Sequence, residues 1–209
     1  MAKAKKKSED NMQSIADFLF EIGILSHTPR SGFHFLGSGH QSVSEHILRV
    51  IYVGYVLSIK EKVADPGKVM KMCLFHDLPE SRTSDLNYVH QKYVDRREDQ
   101  ALNDLAGTLE FGADILEVVK EYEDRKTKEA IIAKDADNIE WILSLKEQVD
   151  IGNSRAKEWI GYAVKRLKTK SAQRLATQII KTQSDHWWRG NGKSEWWVSR
   201  RGDGEYNKK

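Results

Sequence analysis

The stretch Met72-Cys-Leu-Phe-His-Asp-Leu-Pro-Glu80 decides how the fold and chemistry of this chain are interpreted. An apolar segment with helical spacing ends in two adjacent side chains, His76 and Asp77, that can both bind a metal ion. Aspartate is seldom buried unless it is paired or bound to a cation. The stretch therefore predicts a metal site at the end of a buried helix, although a single His-Asp pair also occurs by chance.

A second histidine lies upstream, on a helix whose start is visible in the sequence. Ser42-Val-Ser-Glu45 matches a capping box, in which the serine hydroxyl accepts the N3 amide and the glutamate reaches back. His46 then falls on the first turn of this helix, among apolar neighbours. We therefore expect His46 to face the same centre as the His-Asp pair.

Carboxylates follow in two further places. Asp135 and Asp137 are two positions apart on a predicted helix, so they point to different faces and only one can face the interior. Glu80 and Asp85 follow the His-Asp pair closely enough to reach the same cavity. Two histidines and two aspartates form a mixed nitrogen and oxygen set, which favours Mn²⁺, Fe²⁺, Co²⁺ or Zn²⁺ over Mg²⁺ or Ca²⁺.

The rest of the sequence has the spacing of helices. Apolar residues recur every three or four positions, and no segment alternates with period two for long enough to predict a strand. The predicted helices cover about 12–22, 42–57, 66–76, 89–107, 108–123, 127–147, 154–167 and 171–187. We therefore predict an all-α protein, a helical bundle with one domain over 11–185. A disordered basic tail is expected over 1–10, and an irregular Trp-rich extension over 186–209.

The composition excludes several classes of protein. Six Trp, seven Tyr and six Phe among 209 residues can build a core, which excludes disorder throughout. One cysteine excludes disulfide-stapled domains and CxxC zinc ribbons. The longest apolar stretch, around 51–59, is far shorter than the ~20 residues of a membrane span, and no signal peptide is expected. We therefore expect a cytoplasmic protein with a reduced Cys73. The net charge of +3 resides mainly at the two ends, so a nucleic-acid partner is not expected.

Several motifs in the order H…HD…D resemble the HD-domain superfamily of metal-dependent phosphohydrolases, and within it the 5'-deoxynucleotidases. The resemblance covers roughly residues 12–147, whereas the last sixty or so residues match nothing that we can assign. The matching stretches are Thr28-Pro-Arg-Ser-Gly-Phe33, Gln41-Ser-Val-Ser-Glu-His46, His76-Asp-Leu-Pro-Glu80 with Asp85, Glu121-Tyr-Glu-Asp with Thr127 and Glu129-Ala130, and Lys134-Asp-Ala-Asp-Asn-Ile-Glu140.

The resemblance implies roles for individual residues. The implied metal ligands are His46, His76, Asp77 and Asp137. Asp137 is preferred to Asp135 because the family's motif reads Ala-Asp at that point. The implied catalytic residues are Glu80, as the catalytic carboxylate, and Asp85, which would contact the sugar or assist proton transfer. The implied substrate-binding residues are Arg30, for the phosphate, and Phe33, the nearest aromatic.

The implied activity is removal of the 5'-phosphate from (deoxy)nucleoside monophosphates by attack of water bound to one divalent transition metal. A homodimer is also implied. Ser31 stands where the best-known bacterial members have Trp, and Ser84 where Gly is more familiar, so the base and sugar preferences stay open. Two alternatives are an HD-type hydrolase of a triphosphate or signalling nucleotide, and a non-catalytic module that binds metal and nucleotide.

Overall fold

The structure, a computed structural model, describes residues 12–63 and 65–190 as a set of helices. In this part of the chain the helices are α1 (Met12–Ile22), α2 (Phe33–Leu36), α3 (Val43–Glu61), α4 (Pro66–Phe75), α5 (Glu80–Thr83), α6 (Glu98–Ala106), α7 (Gly112–Asp124), α8 (Lys128–Asp150), α9 (Ser154–Val164), α10 (Lys170–Lys181) and α11 (His186–Arg189). None of the described residues forms a strand, and Pro29 and Ser42 make an isolated bridge. The all-α prediction is confirmed.

Two of the predicted segments extend beyond the described residues. The basic tail predicted over 1–10 lies outside them, as does most of the Trp-rich extension predicted over 186–209. The described start of that extension is α11, a single turn. No helix among the described residues combines the length and the apolar character that crossing a membrane requires.

Local sequence determines where α3 and α4 begin, the two helices next to His46 and His76. The capping box predicted for α3 is confirmed, because Ser42 accepts the Glu45 amide and the Glu45 carboxylate accepts the Ser42 amide. At α4, Asp65 accepts the amide of Lys68 and Pro66 occupies the first turn. These caps fix the starts of α3 and α4.

Helix α8 lies at the centre of the fold and packs against α3, α4, α7, α9 and α10. Its fully buried apolar positions are small or aliphatic, namely Ala130, Ile132, Ala133, Ala136, Ile139, Ile142 and Leu145. Helices α3 and α4 also approach each other closely, since a Cβ on Gly54 would lie 2.6 Å from Cys73 Sγ. The start of α3, the end of α4 and the middle of α8 therefore converge.

One predicted helix forms only in part. The spacing predicts a helix over 89–107, but His90–Lys92 forms a single 3-10 turn and α6 begins at Glu98. Asn87 Oδ1 accepts the backbone amides of the two residues at 89 and 90, each at 3.0 Å, which favours a turn. This loop lies beside the cavity described below.

Candidate metal and phosphate site

Three metal-competent side chains come together where these helices converge. Ligand atoms of His46, His76 and Asp77 all lie within 4.8 Å of one another. His46 is on the first turn of α3, and His76 is the residue that ends α4. Asp77 Oδ2 lies 3.5 Å from Nε2 of His46 and 3.3 Å from Nε2 of His76.

Both histidines direct the same ring nitrogen into this cluster. His46 Nδ1 donates to Glu140 Oε2 at 2.6 Å, and His76 Nδ1 donates to the Cys73 carbonyl at 2.9 Å. A carboxylate and a carbonyl are acceptors, so each Nδ1 carries the hydrogen in these bonds. The Nε2 atoms are buried and have no hydrogen-bond partner among the described residues. Such orphaned nitrogens beside a carboxylate fit a metal ion.

The charges around His46 favour a cation at this position. Burial and the nearby Arg30 disfavour a charged imidazole, but Glu140 and Asp137 outweigh them and raise the pKa of His46 to about 9. Burial lowers the pKa of His76, although neighbouring carboxylates oppose this effect. His46 is therefore the more basic of the two imidazoles, because the carboxylates around it attract positive charge.

The two candidate aspartates of α8 have different partners. Asp137 Oδ1 lies 3.3 Å from His46 Nε2, and its other oxygen accepts from Lys134 Nζ at 2.6 Å. Asp135 instead accepts the amides of Lys168 and Thr169 at 2.9 and 2.7 Å, where α10 begins. The structure thus brings Asp137 to the cluster and places Asp135 at a helix start, so the two side chains do point to different faces. Asp135 is nevertheless buried as well, at 1% exposed, because the start of α10 covers it, contrary to the expectation that only one of the two faces the interior.

Glu80 lies next to this cluster, at the start of α5. Its side chain is buried, and Oε2 has no hydrogen-bond partner within the described ranges. Burial, reinforced by the Asp77 and Asp85 carboxylates, raises the pKa of Glu80 to about 10. The group therefore holds a proton at neutral pH and can donate it.

Arg30 is a half-buried cation held between two carboxylates. Its Nη1 lies 3.3 Å from Asp77 Oδ2 and 3.3 Å from Asp85 Oδ2. Asp85 also accepts from the backbone amide and the hydroxyl of Ser31, at 3.1 and 3.3 Å. The Asp85 carboxylate therefore holds the loop that carries Arg30. The guanidinium of Arg30 also contacts Asp77, which is one of the three residues of the metal cluster.

A cavity of about 910 Å³ opens in front of these groups. Its walls include Arg30, His76, Asp77, Glu80, Asp85 and Asp137, as well as Tyr88, Trp141 and Trp159. The structure does not bring Phe33 to this cavity, contrary to the predicted substrate contact. Phe33 is buried behind Trp141, with an edge-to-face ring contact of 5.5 Å, and lines a separate depression.

Glu140 is fully buried, and no role was predicted for it. Besides His46, its carboxylate accepts from Gln41 Nε2 at 2.7 Å and from Arg49 Nη2 at 2.8 Å. His46 and Arg49 lower the pKa of Glu140 to about 2 despite its burial. A usable signal was present, because Glu140 is three residues after Asp137 and so shares its helix face.

Comparison with known proteins agrees with this arrangement. A model of the HD domain family matches residues 22–180. The 5'-deoxynucleotidase HDDC2 of Dictyostelium discoideum is 37% identical over 119 residues, which cover 51% of this chain and 62% of that protein. The HDDC2 of Danio rerio is 29% identical over 146 residues, covering 67% and 72%.

A solved structure has the same fold. A conserved hypothetical protein from Pyrococcus furiosus superimposes with a TM-score of 0.67 and 26% identity, covering 79% of this chain and 98% of that one. The residues that the family model matches therefore form the helical domain described above. Since that model matches well over half of the 209 residues, this chain belongs to the HD domain family.

Proposed function

We propose that this protein is a metal-dependent phosphohydrolase that removes the 5'-phosphate from (deoxy)nucleoside monophosphates. The observation that carries the proposal is the pair of buried, unpartnered Nε2 atoms facing Asp77, with Arg30 in contact with the same carboxylate. Membership of the HD domain family and the 5'-deoxynucleotidase names of the matching relatives support the same activity.

Four side chains would hold the metal, namely His46, His76, Asp77 and Asp137. Two imidazoles and two carboxylates suit Mn²⁺, Co²⁺, Fe²⁺ or Zn²⁺ better than an ion that prefers oxygen alone. When bound, such an ion would lower the pKa of a water molecule and offset charge on the phosphoryl group. The hydrogen bonds at Nδ1 of both histidines hold the rings in the orientation that this role requires.

Arg30 would bind the phosphate of the substrate. A guanidinium can donate two parallel N–H groups to phosphate oxygens, which an ammonium cannot do. Its present contacts with Asp77 and Asp85 are 3.3 Å, longer than the roughly 2.7–2.9 Å of strong charge-assisted hydrogen bonds. A phosphate would therefore compete with the two carboxylates for the guanidinium.

Glu80 would carry the proton that hydrolysis moves. The phosphorus–oxygen bond to the sugar breaks as a water oxygen bonds to phosphorus, and the leaving 5'-oxygen takes up a proton. The buried Oε2 of Glu80, which has no partner among the described residues, is a suitable donor beside the cavity. Glu80 then regains a proton from the attacking water, so the charges balance.

The test is phosphate release from a panel of ribo- and deoxynucleoside 5'-monophosphates. Chelator-stripped protein is reloaded with Mn²⁺, Co²⁺, Zn²⁺ or Mg²⁺, and bound metal is counted by mass spectrometry. We expect phosphate release that depends on metal. Asp77→Ala should abolish both the release and the metal content, whereas the exposed control Asp95→Ala should retain both. Failure of every monophosphate with metal bound would contradict the proposal and would favour triphosphates or signalling nucleotides.

We also propose that the protein forms a homodimer through the outer face of α3. Leu48, Tyr52, Tyr55 and Ile59 are each about half exposed or more, and their spacing of four, three and four residues aligns them in one stripe. A specific dimer interface should bury at least roughly 1,000 Å², so side chains beside this stripe would take part as well. The cytoplasmic location stays a prediction.

Light scattering tests the dimer. We expect about twice the 24.0 kDa chain mass for the wild type and the chain mass for Tyr52→Glu. Tyr93→Glu, at an exposed position in the loop before α6, should stay dimeric. A wild type that is monomeric at micromolar concentration would contradict the proposal.

A further inference from the structure

Two tryptophans stand side by side in the wall of the cavity. Trp141 belongs to α8 and Trp159 to α9, and their ring centroids are 6.4 Å apart at an angle of 44°. Both are partly exposed and line the same 910 Å³ cavity as Arg30 and Asp77. Both rings pack against the core on one side, and their other side faces a cavity that is otherwise lined by many polar groups. Indoles combine a large apolar surface with a polar N–H group, which suits them to contact a ligand there.

The fold holds Trp141 firmly in this position. Its ring packs against Gly32, where an added Cβ would lie only 3.0 Å from Trp141 Cη2. Phe33 supports the ring from behind through the edge-to-face contact described above. Because Gly32 is two residues after Arg30, the loop that carries the proposed phosphate-binding arginine packs directly against this indole.

The spacing along α8 relates the indoles to the metal cluster. Trp141 is four residues after Asp137, so both side chains lie on one face, about one helical turn apart. One turn is close to the length of a pentose. If Arg30 binds the phosphate beside Asp137, the base on the far side of the sugar would therefore lie next to the two indoles.

Three polar side chains that line the cavity with the indoles are already bonded within the protein. Asn138 donates to the Lys134 carbonyl at 2.9 Å, and Arg166 donates to the Tyr88 hydroxyl at 2.5 Å. Asp135 is occupied by the start of α10, as described above. Stacking is therefore the interaction that this wall offers most readily to a ligand.

We propose that Trp141 and Trp159 form a stacking platform for the nucleobase and determine specificity for nucleotides over other phosphate monoesters. This inference rests on the proposed function, and it adds the residues that recognise the non-reacting part of the substrate. Stacking of one base on an aromatic side chain changes affinity by roughly ten- to a hundredfold. The platform needs no base-specific hydrogen bond.

The experiment compares dAMP with 2-deoxyribose 5-phosphate, which has the same phosphate and sugar but no base. We expect Trp159→Ala to lower kcat/KM for dAMP about ten- to a hundredfold, mainly through KM, and to leave the baseless substrate unchanged. Trp159→Phe should recover most of the loss and also guards against a folding defect. The control Trp187→Ala, at an 84% exposed indole of α11, should change neither substrate.

Calorimetric titration of dAMP into the same variants separates the two proposals. If the wild type hydrolyses no monophosphate, the proposed function is wrong, and the platform is judged from binding alone. Equal losses on both substrates, or an unchanged dissociation constant for dAMP in Trp159→Ala, would overturn the platform. Loss confined to dAMP, with recovery in Trp159→Phe, would support it.

Discussion

At the scale of single residues, Glu140 shows how a buried charge can serve a neighbouring group. Its carboxylate is fully buried and accepts hydrogen bonds from His46, Gln41 and Arg49. Breaking such a network leaves the remaining charges uncompensated in a low dielectric. The bond to Nδ1 also leaves Nε2 of His46 as the atom available to a metal.

Replacing Glu140 by Gln should weaken metal binding. The amide can still accept from Nδ1 of His46, but it lacks the charge that makes the imidazole a stronger ligand. We expect Mn²⁺ affinity to fall about ten- to a hundredfold, measured by calorimetry on stripped protein. Glu147→Gln, at an exposed partner of Arg49, is the matched control and should change affinity little.

The same carboxylate predicts how acid affects stability. Because the pKa of Glu140 is lowered from 4.5 to about 2, its contribution is present above pH 4.5 and is lost as the pH falls towards 2. This difference corresponds to about 3 kcal/mol. In metal-stripped protein, urea unfolding between pH 5 and 3 should show a smaller pH dependence in Glu140→Gln. Equal slopes in both proteins would contradict this assignment.

At the scale of helices, the approach of α3 to α4 depends on one glycine. A Cβ on Gly54 would lie 2.6 Å from Cys73 Sγ and 3.4 Å from Val69 Cγ1. Both neighbours are fully buried, so neither side chain can move away without disturbing the core. Because these helices carry His46 and His76, their separation also sets the distance between the two imidazoles.

Gly54→Ala should therefore destabilise the protein, by about 1–3 kcal/mol from overpacking. Gly161→Ala is the control, since this α9 glycine has nothing within 4 Å of its added Cβ and should gain about 0.5–1 kcal/mol. Urea denaturation measures both. The double variant Gly54→Ala/Cys73→Ala should recover part of the loss, and no recovery would show that the clash lies elsewhere.

At the scale of the whole molecule, the proposed metal would join α3, α4 and α8. An ion that binds only the folded state stabilises it by about 2.7 kcal/mol at a hundred times its dissociation constant. For a chain of this length, stripping with a chelator should lower Tm by roughly 5–10 °C, and Mn²⁺ should restore it. Scanning calorimetry with metal analysis measures this, and an unchanged Tm after complete removal would contradict a site joining the three helices.

Compared with the whole fold, the sequence predicted the features that depend on neighbouring residues. Helical periodicity, the capping box at Ser42 and the apolar run before His76 were sufficient for the all-α class and for the start of α3. Local signals identified these features because caps and periodicity depend on residues close in sequence. The loop before α6 was wrongly predicted as helix, since its polar turn at Asn87 competes with the helical spacing.

Long-range contacts account for what the sequence did not reveal. The indole of Trp141 shields Phe33 only because α8 crosses the loop that follows Arg30. Likewise, Glu140 gains its importance from His46, which is 94 positions away in the chain. Residue type and spacing alone do not specify such partners, whereas the packed helices do.

The position of Arg30 between two carboxylates has a consequence for the end of the reaction cycle. A cation in a buried site is costly to leave alone once an anionic product has departed. Asp77 and Asp85 lie 3.3 Å from the guanidinium, so in the proposed reaction they would take over its charge as inorganic phosphate leaves. Under that proposal, the empty site would contain its own competitor for the product. Release of phosphate would then be an exchange of anions at Arg30 and would not expose an isolated charge.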